Sequence, residues 1–517
     1  MQLRFQEFDD FIVYDKAYGH RTHRVSDGQF GLIEFLSEKM DRPLYVVHQL
    51  DKETSGLILF AKSKTAATTM TQIFDNHQIK KLYYFLTDQV KSETKFSIKT
   101  HIEKKQNFLM NMPGLPPNSE TDFEFVQNLG PYFLWRAFPK TDKPHQIRLH
   151  AEFAKINILG DAEHKGSPYF RLALHAQQLQ FNYGGKDLVF DSQLPPTLKE
   201  NDLTGFDALL EENYFKRHQL YTIEPGESYR LIHLESDQIR ADVFGDHLWI
   251  YDYTKNKMSD EEKQSIEKFA KRKNFKLVIR HMLDRGHGVG GLEDTTLESQ
   301  THMNWAALEE KVNYHLKLDS GFSPGLFLDQ RENRKWVQTN SFKKKVLNLF
   351  SYTAGFSVNA AMGSAQEICT VDVSEKFLNW SKENFNLNHL GDSQYEFFAQ
   401  DAMIFLKGSI KRGRQWDLII CDPPSFARSQ DGIWKLETDL PQLAYLMFQC
   451  LEPNGEILFT CNLESRTREE VAELFCKKLP EKKIQISRMP MQSLDFEITD
   501  DLTNLMKGFL LKKTSDK

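Results

Sequence analysis

From Phe327 onward the sequence alternates apolar runs of strand length with helical stretches, and no other feature constrains the chain as much. Val346–Phe350, Ile368–Val373, Tyr395–Ala399, Leu418–Cys421 and Glu456–Thr460 read as strands. Glu375–Asn386 and Leu440–Leu451 read as helices between them. Alternation of this kind predicts an α/β region, a parallel sheet with helices on both faces. Such sheets bind ligands at the carboxyl ends of their strands, near the switch in strand order. The residues at those ends are therefore the first candidates. They are the loop Ser351, Tyr352, Thr353, Ala354, Gly355 after the first run, Asp372 after the second, Asp401 after the third and Asp422-Pro-Pro-Ser-Phe426 after the fourth. Gly355 lets the backbone approach a ligand closely. An acid after the second strand is placed to bond ribose hydroxyls. Two prolines after Asp422 force a rigid, extended turn. NAD or FAD also suits such a sheet, but the loop lacks Gly-x-Gly-x-x-Gly.

At 517 residues the chain exceeds one ordinary core, and three regions are expected: 1–222, 223–322 and 323–517. The first reads as mostly antiparallel β, with short apolar runs such as Tyr45–Leu50 and Leu57–Ala61 between polar turns. One helix is predicted between Thr65 and His77, where Ala66, Met70, Ile73 and Phe74 share a face. Met112–Asn118 is a turn-rich loop. The second region is a smaller α+β connector, with strands at Tyr229–Leu234, Leu248–Tyr253 and Lys276–Ile279 and a polar helix between Asp260 and Lys273. Its glycine-rich stretch Gly286–Gly291 is read as a turn rather than a phosphate cradle, because no Gly-Lys-Ser/Thr follows.

Composition excludes several classes. Hydrophobic residues at 40% suffice for packed cores, and no run of about 18 apolar residues could span a bilayer. The opening MQLRFQEFDD has no apolar stretch of signal-peptide length. The five cysteines, Cys369, Cys421, Cys450, Cys461 and Cys476, form no Cys-x-x-Cys pair, so neither a disulfide framework nor a zinc site is expected, and the compartment expected is the cytoplasm. A formal charge of −6 gives no compositional support for nucleic-acid binding, which must come from the sites.

In the front region Asp51 lies in a polar loop between two apolar runs, within Val46-Val-His-Gln-Leu-Asp-Lys-Glu-Thr-Ser-Gly-Leu. Lys81-Leu-Tyr83, His145-Gln-Ile-Arg-Leu-His150, Leu159-Gly-Asp161 and Arg171…Leu174-His-Ala176 follow in order. Over roughly residues 8–185 these stretches resemble the RluA-type pseudouridine synthase family. The resemblance implies a cofactor-free isomerisation of uridine in structured RNA. Asp51 is the implied nucleophile at the anomeric carbon, Arg148 the cation that keeps it ionised, and Tyr83 a platform or proton shuttle for the extracted base. Gln49 stands where the family has an Arg that takes the place of the flipped base, so it is the substrate contact implied at that position. Thr141-Asp-Lys-Pro144 and Gly160-Asp-Ala-Glu-His-Lys-Gly166 also depart from the family's flanks. The resemblance accounts for His145 and His150 without a metal, and no metal is expected at His145, His150 and His164. A front region that only docks RNA is the alternative.

The rear strand ends, with Phe327-Leu-Asp-Gln-Arg-Glu-Asn-Arg334, Leu349-Phe-Ser-Tyr-Thr353 and Asp422-Pro-Pro-Ser-Phe-Ala-Arg-Ser429, resemble class I methyltransferases, and more closely the RlmI-like group that methylates bases of ribosomal RNA. The match runs from about residue 300 to 512, with Ser228–Ser320 like that group's connecting domain. It implies S-adenosylmethionine as cofactor and ribosomal RNA as partner. Asp372 would hold the donor's ribose, Asp401 its adenine and Ser351–Gly355 its methionine part. Asp329 and Arg331 would line the pocket, and Asp422, Pro423, Pro424 and Phe426 would position the target base. Methylating carbon 5 of cytosine requires a thiolate at carbon 6, and Cys461 in Phe459-Thr-Cys-Asn462 is the expected nucleophile, with Cys421 the other candidate. Methylation of a guanine ring nitrogen needs no cysteine and is the alternative.

Overall fold

The structure is a computed structural model. It describes the chain except residues 1, 25–30, 106–107, 113, 201–202, 204, 256, 284–290, 298–303, 319, 321–322, 392–394, 430–431, 464, 497–505 and 515–517. The loop beginning at Gly286 therefore lies outside the described residues up to Gly291. Two compact units are present, one of residues 1–224 with 258–273 and one of residues 225–257 with 274–517.

The first unit is built on a ten-stranded sheet. Its path runs Phe5–Glu7, Phe11–Lys16, Ser55–Ala61, Leu174–Tyr183, Lys80–Thr87, Tyr132–Pro139, Ser119–Leu129, Lys95–Thr100. Neighbours are antiparallel except Leu174–Tyr183 beside Ser55–Ala61, which run parallel. At that junction Gly56 has φ +109, and a Cβ there would stand 2.2 Å from the Ala176 carbonyl oxygen. Only glycine admits that approach, which explains the Gly of Thr-Ser-Gly. The expected helix forms over Lys64–Asp75 and starts where the Ser63 side chain accepts from the Ala66 N–H. Ala66, Met70 and Phe74 are buried against Leu57, Leu59 and Leu179, with Ile73 partly buried beside them. The helix Asp260–Arg272 groups with this unit and packs on Gly205–Leu220, where Arg272 reaches Asp207 and Glu211.

In the second unit Ser228–Ile232, Ile239–Phe244, His247–Asp252, Lys276–Leu283 and Gly291–Leu297 form a five-stranded sheet, followed by the hairpin Asn304–Glu309/Val312–Lys317. The alternating region folds into a seven-stranded sheet. Its order is Tyr395–Ala399, Glu367–Asp372, Lys345–Leu349, Trp416–Cys421, Leu451–Cys461, Lys507–Lys513, Ile484–Arg488. The first five strands are parallel and Lys507–Lys513 is antiparallel to both its neighbours. Every strand in this sheet expected from the sequence is present. Strand order reverses between Lys345–Leu349 and Trp416–Cys421, which opens a crevice at their carboxyl ends. One apolar core continues from Trp249 and Tyr314 through Val346 to Ile420 and Leu458. No helix among the described residues is long and apolar enough to cross a membrane.

Candidate active sites

Asp51 sits in the turn between Tyr45–Val46 and Ser55–Ala61, closed by the Thr54 N–H on the Asp51 carbonyl at 3.1 Å. Behind the turn, Ser55 Oγ bonds His175 Nδ1 at 2.9 Å, and buried Arg171 pairs with buried Glu212 at 3.2 Å. The motif residues around the carboxylate are thus its rigid backing. The helix Gln146–Phe153 delivers Arg148, whose NH1 donates to Asp51 Oδ2 at 3.2 Å. Arg148 is itself aimed by buried Asp161, which accepts from Nε at 2.7 Å and NH2 at 2.6 Å. A fork held at two points keeps its third edge for Asp51. Gly160 places Asp161, because it has φ +76 and a Cβ there would lie 1.9 Å from the Arg171 carbonyl oxygen.

The structure brings Asp51 and Arg148 together with Tyr83 near them. Tyr83 is buried, and burial, with Asp142 and Asp51 adding to it, raises its phenol well above the ordinary tyrosine range. A phenol held that firmly in its neutral form suits a stacking platform better than a proton shuttle. The Gln49 residue is exposed. His150 is buried in a hydroxyl nest, with Nε2 2.9 Å from Thr100 Oγ1 and Nδ1 2.9 Å from Thr121 Oγ1. Sequence reasoning missed Asp161 as the residue that orients Arg148, and His145, whose Nε2 lies 3.8 Å from Asp51 Oδ1. The Gly-Asp pair after the helix was the available signal for Asp161. Alongside lies a cavity of about 1530 Å³ whose walls include Lys99, Lys104, Lys155 and Lys165.

In the second unit a cleft of about 520 Å³ opens at the switch point. Asp329, Ser351, Tyr352, Thr353, Gly355, Asp372, Asp401, Asp422, Pro423 and Pro424 line it. The loop after Lys345–Leu349 is bent by three non-glycine residues in the left-handed region: Phe350 at φ 54, Tyr352 at φ 50 and Ala354 at φ 62. Each costs about 1–3 kcal/mol, a strain typical of ligand-holding loops. Ala354 thus stands where a glycine would be unstrained. Asp372 ties the loop down, accepting from the Tyr352 N–H and the Ser374 N–H, both at 2.9 Å, and burial raises its carboxyl above the ordinary range. Asp401 Oδ1 caps the helix Ala402–Lys411, accepting from the Met403 and Ile404 N–H groups. Asp422 is held on both oxygens, by Thr460 Oγ1 at 2.8 Å and Gln330 Nε2 at 3.0 Å. Burial pushes its carboxyl up to about 6. Trp434 Nε1 donates to the Pro424 carbonyl at 2.7 Å and steadies the Asp-Pro-Pro turn.

Four expected residues lie outside the lining. Arg331 points away from the cleft into a buried cluster, where NH1 meets Asp495 Oδ1 at 2.9 Å and Ser493 Oγ at 3.0 Å, and NH2 meets the Ser228 carbonyl at 2.9 Å. Gln330 and Arg334, four apart on one helical face, take the place expected of it. Arg334 is gripped by Glu309 through two 2.6 Å bonds, and a Cβ on Gly355 would come within 3.3 Å of its Cδ. Phe426 is exposed at the start of the hairpin Phe426–Ser429/Gly432–Lys435. Cys461 is fully buried, and burial with Asp422 nearby pushes its thiol up to about 12. Cys421 is equally buried, and burial first, with Asp422 and Cys461 adding to it, raises its thiol well above the ordinary range. Phe327, Phe377 and Trp434 are cleft aromatics that sequence reasoning did not single out.

Residues 10–153 match the RNA pseudouridylate synthase family, and residues 260–481 match the S-adenosylmethionine-dependent methyltransferase family. A ribosomal RNA large subunit methyltransferase K/L of Shewanella sp. (strain MR-4) is 41% identical over 157 residues, 30% of this chain and 22% of that protein. The protein of the same name in Shewanella loihica is 30% identical over 276 residues, 50% of this chain and 37% of its own length. The chain thus spans less than half the length of the curated relatives it matches. Among solved structures, SMU.776 complexed with SAH superposes with a TM-score of 0.53 at 24% identity, covering 65% of this chain and 88% of that one. Sheet order, crevice and family matches together make the chain a pseudouridine synthase-like domain followed by a Rossmann-like methyltransferase domain.

Proposed function

We propose that the chain is a two-site RNA-modifying enzyme, methylating a base of large-subunit ribosomal RNA in the rear cleft and converting uridine to pseudouridine at Asp51. The observation that carries the methyltransferase reading is Asp422, held by Gln330 and Thr460 at the switch point and facing an acid-lined, aromatic cleft. The residues fit S-adenosylmethionine. The buried Ser351 hydroxyl lines the cleft with no partner among the described residues, Asp372 is set for ribose hydroxyls, and the volume lies in the usual range of roughly 300–1,000 Å³. When bound, that cofactor supplies an electrophilic methyl group. The chain's part is to orient the base and to take the proton its nitrogen sheds, and the Asp422 carboxylate is placed for both. The names of the relatives support ribosomal RNA as the substrate. The lysines of the front cavity offer phosphate contacts despite the acidic net charge.

Between cytosine carbon 5 and a guanine nitrogen, the buried thiols favour nitrogen. A nucleophilic cysteine needs an exposed, lowered thiol, and Cys461 is neither. The sequence motifs support an RlmI-like arrangement with regions 1–222, 223–322 and 323–517, with a different target atom. At the front, Asp51 keeps a cation within 3.2 Å and a base platform, which favours catalysis over docking alone. The test uses unmodified large-subunit ribosomal RNA and the full chain. Asp422→Ala is expected to abolish tritium transfer from methyl-labelled donor to RNA while leaving pseudouridine formation intact, and Asp51→Ala the reverse. Label on protein rather than RNA overturns the substrate. Pseudouridine that is equal in wild type and Asp51→Ala, or absent from both, overturns the front activity.

A further inference from the structure

A short turn over Ala162–His164, capped by the Asp161 side chain on the His164 N–H, swings Glu163 and His164 against His145. His145 Nδ1 lies 3.1 Å from His164 Nε2 and 3.5 Å from Glu163 Oε2, and the three ligand atoms all fall within 4.8 Å of one another. Ligands on a tetrahedral zinc, with bonds of about 2.0–2.2 Å, stand roughly 3.3–3.5 Å apart. The His145–Glu163 edge already has that length, and the His145–His164 edge lies just under it. Glu163, with a side chain 66% exposed, has the freedom to close the third.

The far side of each ring carries a second observation. His164 Nδ1 faces Glu152 Oε2 at 3.4 Å, and His145 Nε2 faces Asp51 Oδ1 at 3.8 Å. A carboxylate behind the outer nitrogen is the arrangement that orients metal-bound histidines. The two inner nitrogens share one proton across 3.1 Å, and a metal ion would take the place of that proton. The third histidine of the region, His150, is fully occupied by hydroxyls and takes no part.

We propose that His145, His164 and Glu163 form a site for a divalent transition metal of the zinc class, three protein ligands with the fourth position open to the adjoining cavity, which these residues line. Two imidazoles and one carboxylate favour zinc or cobalt over magnesium or calcium, which prefer oxygen. Glu163 also accepts from Arg148 NH2 at 2.8 Å. Metal binding draws that carboxylate from Arg148 and leaves Asp51 and Asp161 as the partners of its guanidinium, so occupancy couples to the neighbouring site.

The tag-free, chelator-treated full chain is titrated with Co²⁺ and the visible absorption of four-coordinate cobalt is followed. No RNA is present, so the result does not depend on whether Asp51 isomerises uridine. Saturation at a single equivalent, with bleaching by Zn²⁺, is expected. Glu163→Gln and His164→Gln should each weaken binding tenfold or more, and Glu152→Gln, one shell out, by about 10–100-fold. The exposed His77→Gln should leave it unchanged. Glu163 is a surface residue, so its variant carries the test even if His164→Gln fails to fold. Absence of a four-coordinate spectrum in the wild type, or equal binding by Glu163→Gln, overturns the site.

Discussion

Replacing Thr460 by valine removes one hydrogen bond from Asp422 and leaves the shape of the strand unchanged. Thr460 Oγ1 donates to Asp422 Oδ1 at 2.8 Å, and this bond favours the charged carboxylate, opposing the burial that pushes the group up to about 6. A hydrogen bond to a charged group contributes about 1.5–3 kcal/mol. At 1.36 kcal/mol per unit, its loss raises the carboxyl by roughly 1–2 units further. The sign follows from the role proposed. Methyl transfer needs the ionised carboxylate, so the rate falls as pH drops below the pKa, about tenfold per unit. The wild type should therefore lose activity below about pH 6, and the acid limb of Thr460→Val should lie about 1–2 units higher with a similar plateau. The assay is the initial rate of tritium transfer from saturating methyl-labelled donor to ribosomal RNA across pH. Superimposed acid limbs, or a limb shifted downward, would refute the assignment of Asp422 as the titrating group.

Three further outcomes follow from the same cleft. Asp372→Asn should weaken donor binding about tenfold or more by calorimetry, because a charge-assisted ribose contact becomes a neutral one; unchanged affinity would remove Asp372 from the donor site. Cys461→Ser should keep methyl transfer within a few-fold of wild type, since the thiol is buried and pushed up to about 12, whereas a loss of about a hundredfold or more would restore the cytosine carbon 5 reading. Glu309→Gln leaves the buried guanidinium of Arg334 without its anionic partner and should destabilise the second unit by about 3–5 kcal/mol in urea unfolding, with an unchanged midpoint counting against that pair as a structural element.

Local signals carried much of the fold. Apolar runs of strand length located every strand of the parallel sheet that was expected, and the acids at their ends fell where strand order reverses. The boundaries differ by a residue or so at most ends, and by five at the start of Leu451–Cys461, where Glu452-Pro-Asn-Gly455 masks the run. The front motifs were also legible, with the physical causes hidden. Thr-Ser-Gly is needed because Gly56 meets the Ala176 backbone, and Gly-Asp because Gly160 meets the Arg171 backbone. Arg171 is only 11 positions beyond Gly160, but Ala176 lies 120 positions beyond Gly56, where no local pattern announces it. Arg331 shows the same limit. Its buried partners, Asp495 and Ser493, are more than 150 positions away. Spacing alone could not say which of the two arginines in Arg331–Arg334 faces the cleft.

The cysteine is different, because strand periodicity could have decided it. Side chains alternate between the faces of a strand. Thr460 bonds Asp422 at the cleft, so Cys461 must point to the other side, and Asn462 returns to the cleft wall. The structure places Cys461 in the apolar core with Phe459 and Phe509 as ring neighbours in the same cluster. A Thr-Cys pair at the end of this strand can present its hydroxyl or its thiol to the substrate, never both. Here the hydroxyl is committed to the Asp422 carboxylate. A nucleophilic role for the thiol would need a one-residue slip of the strand, and that slip would bury Asn462 and break the bond to Asp422 at once. The choice of target atom is thus tied to the register of Leu451–Cys461 against Trp416–Cys421, where Phe459 pairs with Cys421.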